Sequence, residues 1–333
     1  MKTVIRSRWI FLTLVLTSLF ALADERPAAG GGFRVLSWNI SDDAFVAEQE
    51  EFQSLLLWAD PDVVLLDEVA PSADLGKLHL ALAGLRSGDE EAWNVDLGIS
   101  GGRQRCVVAS RAPQEAVPEF SSLIPYPEAD RRYILEHMSA RERSHPDFSM
   151  AGGIPVNGAI ILTAGRRLLT LVADLQCCGD GPESWQEYRR RVEAREIRAL
   201  VRQVLERTRV DGIVIAGDFN LVNGPTPLVL LTGPYRLPHA GLISAELYHS
   251  DSAGTWTWDG RGTPFPSNTL DFQLYGPHSL ELHSGFILDT EGLSPEALEQ
   301  YGLQSSTSKR TGRHRPLVAE YGWNVTRLDL KGR

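Results

Sequence analysis

Polar side chains interrupt the apolar runs of this chain at a few places where their types could do chemistry. Asn39 lies near the end of V-L-S-W-N-I, Asp67 and Glu68 follow four apolar residues in V-V-L-L-D-E-V, and Asp218 and Asn220 close I-V-I-A-G-D-F-N-L. Asp271 sits inside T-L-D-F-Q-L-Y, and His314 precedes an apolar run in T-G-R-H-R-P-L-V-A-E-Y. Each has an ordinary structural reading: a carboxylate at a strand end caps the next turn, and a His there is one more half-buried ring. Together they say more. Strand alternation in D-F-N sends Asp218 and Asn220 to one side and Phe219 to the other, so an acid and an amide share a face. Isolated charge in an apolar setting is costly, and a hard cation is the natural partner for Glu68, Asp218 and Asp271. Oxygen ligands with amide support favour Mg2+ or Mn2+. Such a group suits attack of water on a phosphate ester: the metal neutralises phosphate charge, a carboxylate orients or deprotonates water, and a His stabilises developing charge.

Short runs rich in Val, Ile and Leu must position these groups. The pattern predicts strands over Arg34–Ile40, Asp62–Glu68, Trp93–Ile99, Cys106–Ser110, Gly158–Thr163, Leu168–Asp174, Gly212–Gly217, Thr269–Leu274, Ser279–Ile287 and Pro316–Tyr321. Helices are expected over Ala47–Trp58, Ala73–Ala83 and Trp185–Arg207, the last with Ile197, Leu200, Val201, Val204 and Leu205 at helical spacing. Many strands and few helices imply two packed sheets flanked by helices, not one parallel sheet. Ser121–Gly153 carries Pro125, Pro127 and Pro146 with no clean period, and reads as a binding rim or a mobile segment. Arg189–Arg191 reads as surface charge at the start of a helix.

The N-terminus carries Lys2, Arg6 and Arg8, then an apolar stretch from Trp9 ending Ala21-Leu22-Ala23. This is the pattern of a cleaved signal peptide over residues 1–23, the alternative being an uncleaved anchor. Residues 24–32 read as a flexible tether, 33–323 as one domain and 324–333 as a tail. Removing the leader takes away three cations and no acid, moving the formal charge from −10 to −13. So acidic a chain has no general attraction for polyanions, and a phosphate substrate must be held locally. Three cysteines, Cys106, Cys177 and Cys178, leave open a bridge from Cys106 to one of the adjacent pair, a vicinal bond, or free thiols.

W-N-I, D-E-V, G-D-F-N, L-D-F and H-R-P, in that order over about Phe33–Tyr321, resemble the endonuclease/exonuclease/phosphatase superfamily. The resemblance implies a deoxyribonuclease I-like α/β/β/α sandwich of two mostly antiparallel sheets. It implies Glu68 and Asn39 at the metal and phosphate, Asp218 orienting or activating water with Asn220 beside it, Asp271 assisting the metal or orienting a His, and His314 on the scissile phosphate. Two positions depart from the family pattern. Arg313 stands where an Asp usually precedes the last His, and its cation disfavours imidazolium if close. Asp174, in V-A-D-L, stands where many members have His. Their opposite signs suggest that Asp174 and Arg313 pair across the site mouth; otherwise Arg313 faces solvent and another acid, such as Asp271, orients His314. The resemblance also admits a catalytically impaired member that binds a phosphorylated ligand or partner protein.

Substrate is left open among nucleic acid, nucleotide, lipid head group and inositol phosphate, with no obligate protein partner and a monomer expected. Trp256, Trp258 and Phe265 could rim a lipid site or pack a strand pair. Arg131, Arg132, Arg141 and Arg143 could contact phosphates, but interleaved acids favour a solvated face. Lys309 and Arg310, just before the His motif, are better placed for an anionic group.

Overall fold

The computed structural model describes residues 32–324, apart from residues 43, 84, 86–92, 146–148, 180, 223, 236–238 and 252–253. The expected leader, most of the tether and nearly all of the tail lie outside the described residues. Among the described residues no helix is long and apolar enough to cross a membrane.

Among the described residues twelve strands run in chain order: β1 (Phe33–Asp42), β2 (Val63–Val69), β3 (Asn94–Leu97), β4 (Arg105–Ser110), β5 (Gln114–Ala116), β6 (Val156–Thr163), β7 (Arg166–Ala173), β8 (Gly212–Asp218), β9 (Ile243–Ser244), β10 (Asp271–Tyr275), β11 (Leu280–Ile287) and β12 (Leu317–Trp323). They form two six-stranded sheets, ordered β11-β12-β1-β2-β4-β3 and β5-β6-β7-β8-β10-β9. Only β1–β2 and β7–β8 are parallel; the other pairings are antiparallel. The helices are α1 (Ala44–Ala47), α2 (Gln49–Ala59), α3 (Leu75–Leu82), α4 (Glu128–His137), α5 (Ala140–Arg143), α6 (Trp185–Arg207), α7 (Thr226–Thr232), α8 (Pro295–Gln300) and α9 (Thr307–Thr311).

Alternation assigns the layers. Val35, Leu65, Val214 and Ala216 point into the core between the sheets. Their neighbours Leu36, Leu66 and Val64 point outward onto Phe52 and Leu55 of α2 and Leu78 of α3. Ile213 and Ile215 point outward onto Ile197, Val201 and Val204 of α6. Strands covered on both faces must be apolar at every position, which is why these segments read as unbroken apolar runs. The result is the four-layer sandwich.

All ten expected strands form, each within a few residues of its expected ends. The expected helix over Ala47–Trp58 is instead α1 and α2, broken at Glu48. β5 and β9 carry too few residues to show a period. Ser121–Gly153 contains α4 and α5, which the sequence reading did not expect; α4 buries only Ile134, so it has almost no apolar stripe to detect. Its Arg131 pairs with Glu128, in keeping with a solvated charged face.

One expectation is overturned. Arg189 and Arg190 are 1 % and 0 % exposed, not surface charge. Arg189 Nε lies 2.9 Å from Glu193 Oε1 and Arg190 Nε 2.9 Å from Glu187 Oε2, at i,i+4 and i,i+3 along α6. Arg190 Nη1 also donates to the carbonyls of Gln176 and Cys178, 2.7 Å each, and Glu193 Oε2 accepts from Gln176 N at 2.7 Å. The first turns of α6 therefore clamp the segment leaving β7, and burial of these charges is tolerable because each is paired.

Candidate active site

The polar groups singled out from the sequence collect at one end of both sheets. Asn39, Glu68 and Asp218 lie at the C-terminal ends of β1, β2 and β8, and Asp174 directly follows β7. Antiparallel β10 begins there with Asp271, and His314 lies just before β12. Asp271 and Asp218 are register partners on adjacent strands, so two acids 53 residues apart stand side by side. Local backbone shapes this end. Gly217 has φ +126°, and a Cβ there would meet Ala173 O at 2.1 Å, so only glycine lets β8 approach β7 this closely before Asp218. Glu68 and Asn220 take φ of 52° and 50°, and the β2–β4 register shifts between Leu66 and Val69. These irregularities re-aim side chains that strict alternation would scatter.

Asp218 is the hub. Its Oδ2 accepts from Asn39 Nδ2 at 3.2 Å, its Oδ1 from Asn220 N at 2.9 Å, and its own N donates to Asp67 Oδ2 at 3.0 Å. His314 Nδ1 lies 2.9 Å from Asp271 Oδ2, and His314 Nε2 lies 3.7 Å from Asp218 Oδ2. Thr257 Oγ1 donates to Asp271 Oδ2 at 2.6 Å and fixes that carboxylate. With Asp271 accepting from Nδ1, the imidazole presents Nε2 towards Asp218.

The electrostatics are those of crowded acids. Burial raises Asp67, Asp174 and Asp218 above the usual carboxylate range, and neighbouring carboxylates add to it; Asp218 reaches about 7. Burial alone would lower His314, but the carboxylates of Asp271 and Asp218 outweigh it and raise the imidazole to about 10. Asp67 Oδ1 is buried with no hydrogen-bond partner among the described residues. Asp218, Asp271 and His314 offer ligand atoms all within 4.8 Å of one another. Glu68 is outside that trio, yet its charge acts on Asp174, Asp218 and His314. Oxygen-rich, buried and acid-heavy, the residues fit a hard divalent cation.

The suggested pairing of Asp174 with Arg313 is absent. Asp174 is buried and accepts from Gln104 Nε2 at 2.9 Å. Arg313 is exposed, and its Nη1 donates to the carbonyl of Asp259 at 3.0 Å, with Arg261 O at 3.4 Å. Adjacent residues on an extended segment point to opposite sides, so the neighbour of His314 turns away while Asp271 reaches the ring. We expect Arg313→Gln to leave stability within about 0.5 kcal/mol and to leave turnover unchanged; thermal melts and rates at a fixed metal concentration would show a dependence if the guanidinium acted on His314.

Several positioning groups carry no signal of their own in the sequence. Trp38 Nε1, inside W-N-I, donates to His314 O at 3.2 Å. The T-W-T-W-D stretch runs along the His motif: Arg315 N donates to Thr257 O at 2.7 Å and Asp259 N to Arg313 O at 2.8 Å. Arg315 is fully buried, with Nη2 3.0 Å from Asp259 Oδ2, Nε in ion-pair contact with Asp289 Oδ2 at 3.0 Å, and its guanidinium over the Trp256 ring. Trp256 is therefore packing, while Phe265 is exposed. Arg310 is engaged by Glu51 at 3.2 Å. Cys106 is buried in β4, and all three cysteines are free, so neither disulfide left open by the sequence is present. A short apolar run or a lone Arg shows none of this, because the acids and rings that fix these groups are distant in sequence.

The family model described as Endonuclease/Exonuclease/phosphatase matches residues 30–294. Among solved structures, the chain resembles the human Nocturnin catalytic domain with bound sulfate anion, at 17 % identity and TM-score 0.53, covering 88 % of this chain and 94 % of that one. It resembles D. rerio TDP2 complexed with single strand DNA product, at 15 % identity and TM-score 0.52, covering 87 % and 99 %. It also resembles ANGEL2, a 2′,3′-cyclic phosphatase, at 14 % identity and TM-score 0.51, covering 88 % and 95 %. At these identities the likeness is one of fold. No curated protein matches the sequence significantly.

Proposed function

The chain belongs to the endonuclease/exonuclease/phosphatase family, and from that premise we propose that it is an exported, divalent-metal-dependent phosphodiesterase. The observation that carries this reading is the convergence of buried Asp218, Asp271 and His314 within 4.8 Å. Glu68, with Asn39 beside it, would hold Mg2+ or Mn2+. When bound, the ion supplies charge neutralisation on the phosphate and its leaving oxygen. The chain's own residues do the rest. Asp218, steadied by Asn39 Nδ2 and Asn220 N, orients water and accepts its proton. His314, kept protonated by Asp271, donates from Nε2 to a phosphate oxygen as charge builds there.

The relatives frame the substrate class without choosing within it: one structure holds a single strand DNA product and another protein is a cyclic phosphatase. Nucleic acid, nucleotide, lipid head group and inositol phosphate remain the candidates. The test expresses the full chain and reads two things. Intact mass should place the exported N-terminus near Asp24. Hydrolysis of a plain phosphodiester, single- and double-stranded DNA and a phospholipid should require Mg2+ or Mn2+ and vanish with chelator. Cleavage that survives chelation, or none of any substrate with metal supplied, defeats the reading.

A further inference from the structure

Three and four residues beyond Asp174, near enough to the site for its acids to act on them, the chain places Cys177 and Cys178 side by side with their Sγ atoms 2.8 Å apart. Cys178 is exposed and Cys177 half-buried, so a solution reagent meets Cys178 first. The turn that bears them is fixed from behind. Arg190 Nη1 holds the carbonyls of Gln176 and Cys178, and Glu193 holds Gln176 N, so both thiols are presented by a clamped backbone. Cys178 takes φ +68° and Gly179 φ +95°, a left-handed pair that turns the chain back toward α6. The thiols are also unequal. The hydrogen bond with Cys177, opposed by burial and aided by Arg190, lowers Cys178 to about 7, while the same bond together with burial raises Cys177. Nothing in the proposed hydrolysis uses either one.

We propose that Cys177 and Cys178 form a thiol–disulfide exchange site that closes reversibly to a vicinal disulfide on reaction with a small-molecule disulfide. The Cys178 thiolate, its proton given to solvent, attacks one reagent sulfur, making a mixed disulfide and expelling one thiolate. Cys177 Sγ, losing its proton in turn, attacks the Cys178 sulfur; the Cys177–Cys178 bond forms and the second thiolate leaves. The two leaving thiolates take up the two protons. Two protein thiols are thus oxidised by two electrons, and the reagent disulfide is reduced to two thiols. Closure needs Sγ atoms that are already in contact to come within about 2.05 Å. Adjacent Cα atoms are about 3.8 Å apart, shorter than the usual span across a disulfide, so the closed ring is strained. Strained, exposed disulfides are the readily reduced ones, which makes this a reversible site and not a structural staple.

The experiment treats the folded chain with oxidised glutathione, alkylates remaining thiols and maps the peptides. The expected product has lost two hydrogen atoms, carries no glutathione, is protected at Cys177 and Cys178 and recovers both thiols with dithiothreitol. Cys177→Ser, which cannot close the ring, should instead retain glutathione on Cys178, while Cys178→Ser should react at least tenfold more slowly than the native chain. Cys106, buried in β4, should stay unreacted and report that the fold is intact. A stable glutathione adduct on native Cys178, a disulfide-linked dimer, or an unreactive pair would each overturn the proposal. The readout is covalent state alone, so it stands or fails separately from hydrolysis.

Discussion

Asp218→Asn should lower turnover by about 10²- to 10⁴-fold, the usual contribution of a positioned general base, while the folded protein becomes no less stable. The two effects have opposite causes. Asn keeps one oxygen, which can accept from Asn39 or from Asn220 but not from both, and it cannot take a proton from water. It also removes one negative charge from a buried cluster where Asp218 faces Asp271 across the β8–β10 register, with His314 as a neighbouring cation. Relief of that crowding favours the variant when no metal is present. Rates at saturating Mg2+ and thermal melts in chelator measure the two halves. For the native enzyme, the acid limb of the rate profile falls as Asp218 takes up a proton; without an ion that range is about 7, and a bound cation favours the ionised form and moves the limb lower. Turnover within tenfold of native would remove Asp218 from the chemistry, and a large loss of stability would mean that its role is structural.

The second large effect lies one residue from the His. Arg315→Met should destabilise the fold by about 3–5 kcal/mol, as expected when one partner of a buried charge cluster is removed and the others remain. Asp289 loses its ion pair with Nε, Asp259 keeps only Arg261, and the Trp256 ring loses the guanidinium stacked on it. Turnover should fall as well, since the guanidinium anchors the segment whose backbone, through Arg315 N and the neighbouring bridge between Trp258 and His314, registers the imidazole against Thr257 and Asp271. Urea unfolding at neutral pH is the proper measurement. Hydrogen bonds from Arg261, with its charge and that of Arg315, hold Asp259 at about 2 despite burial. A depressed carboxylate contributes stability above its unfolded value of about 3.9, lost as pH falls through the folded one. Arg261, the larger cause, is kept in the variant, so only the part of this stability that Arg315 contributes should drop out of the native–variant difference below about pH 4. A loss under 1 kcal/mol at pH 7 would show that Arg315 is not the anchor of the His motif.

Much of the fold was legible because burial on two faces writes itself into sequence. β1, β2 and β8 are apolar at successive positions since sheet and helix cover them on both sides, and α6 shows its period because Ile197, Val201 and Val204 share one core. α4 shows none, since Ile134 alone is buried along its length. The same α6 carries Arg189 and Arg190, whose charge pointed to solvent. Their burial depends on Glu187 and Glu193 within the helix and on Tyr126 and the Gln176–Cys178 carbonyls outside it.

The candidate site divides in the same way. Sequence by itself determined which groups are available: acids, amides and one His at the ends of apolar strands, in an order that matches a family. Tertiary structure alone decided how they meet. Asp271 stands beside Asp218 because β10 and β8 pair in one register. His314 is oriented by Asp271 and not by its neighbour Arg313, because successive side chains on an extended segment diverge while a residue 43 positions away is brought to 2.9 Å. Asp174 is satisfied by Gln104, 70 positions away, rather than by the cation whose sign appeared to match it. Charge and residue type are local properties that a chain states outright; which charges share a site is fixed only when the sheets close.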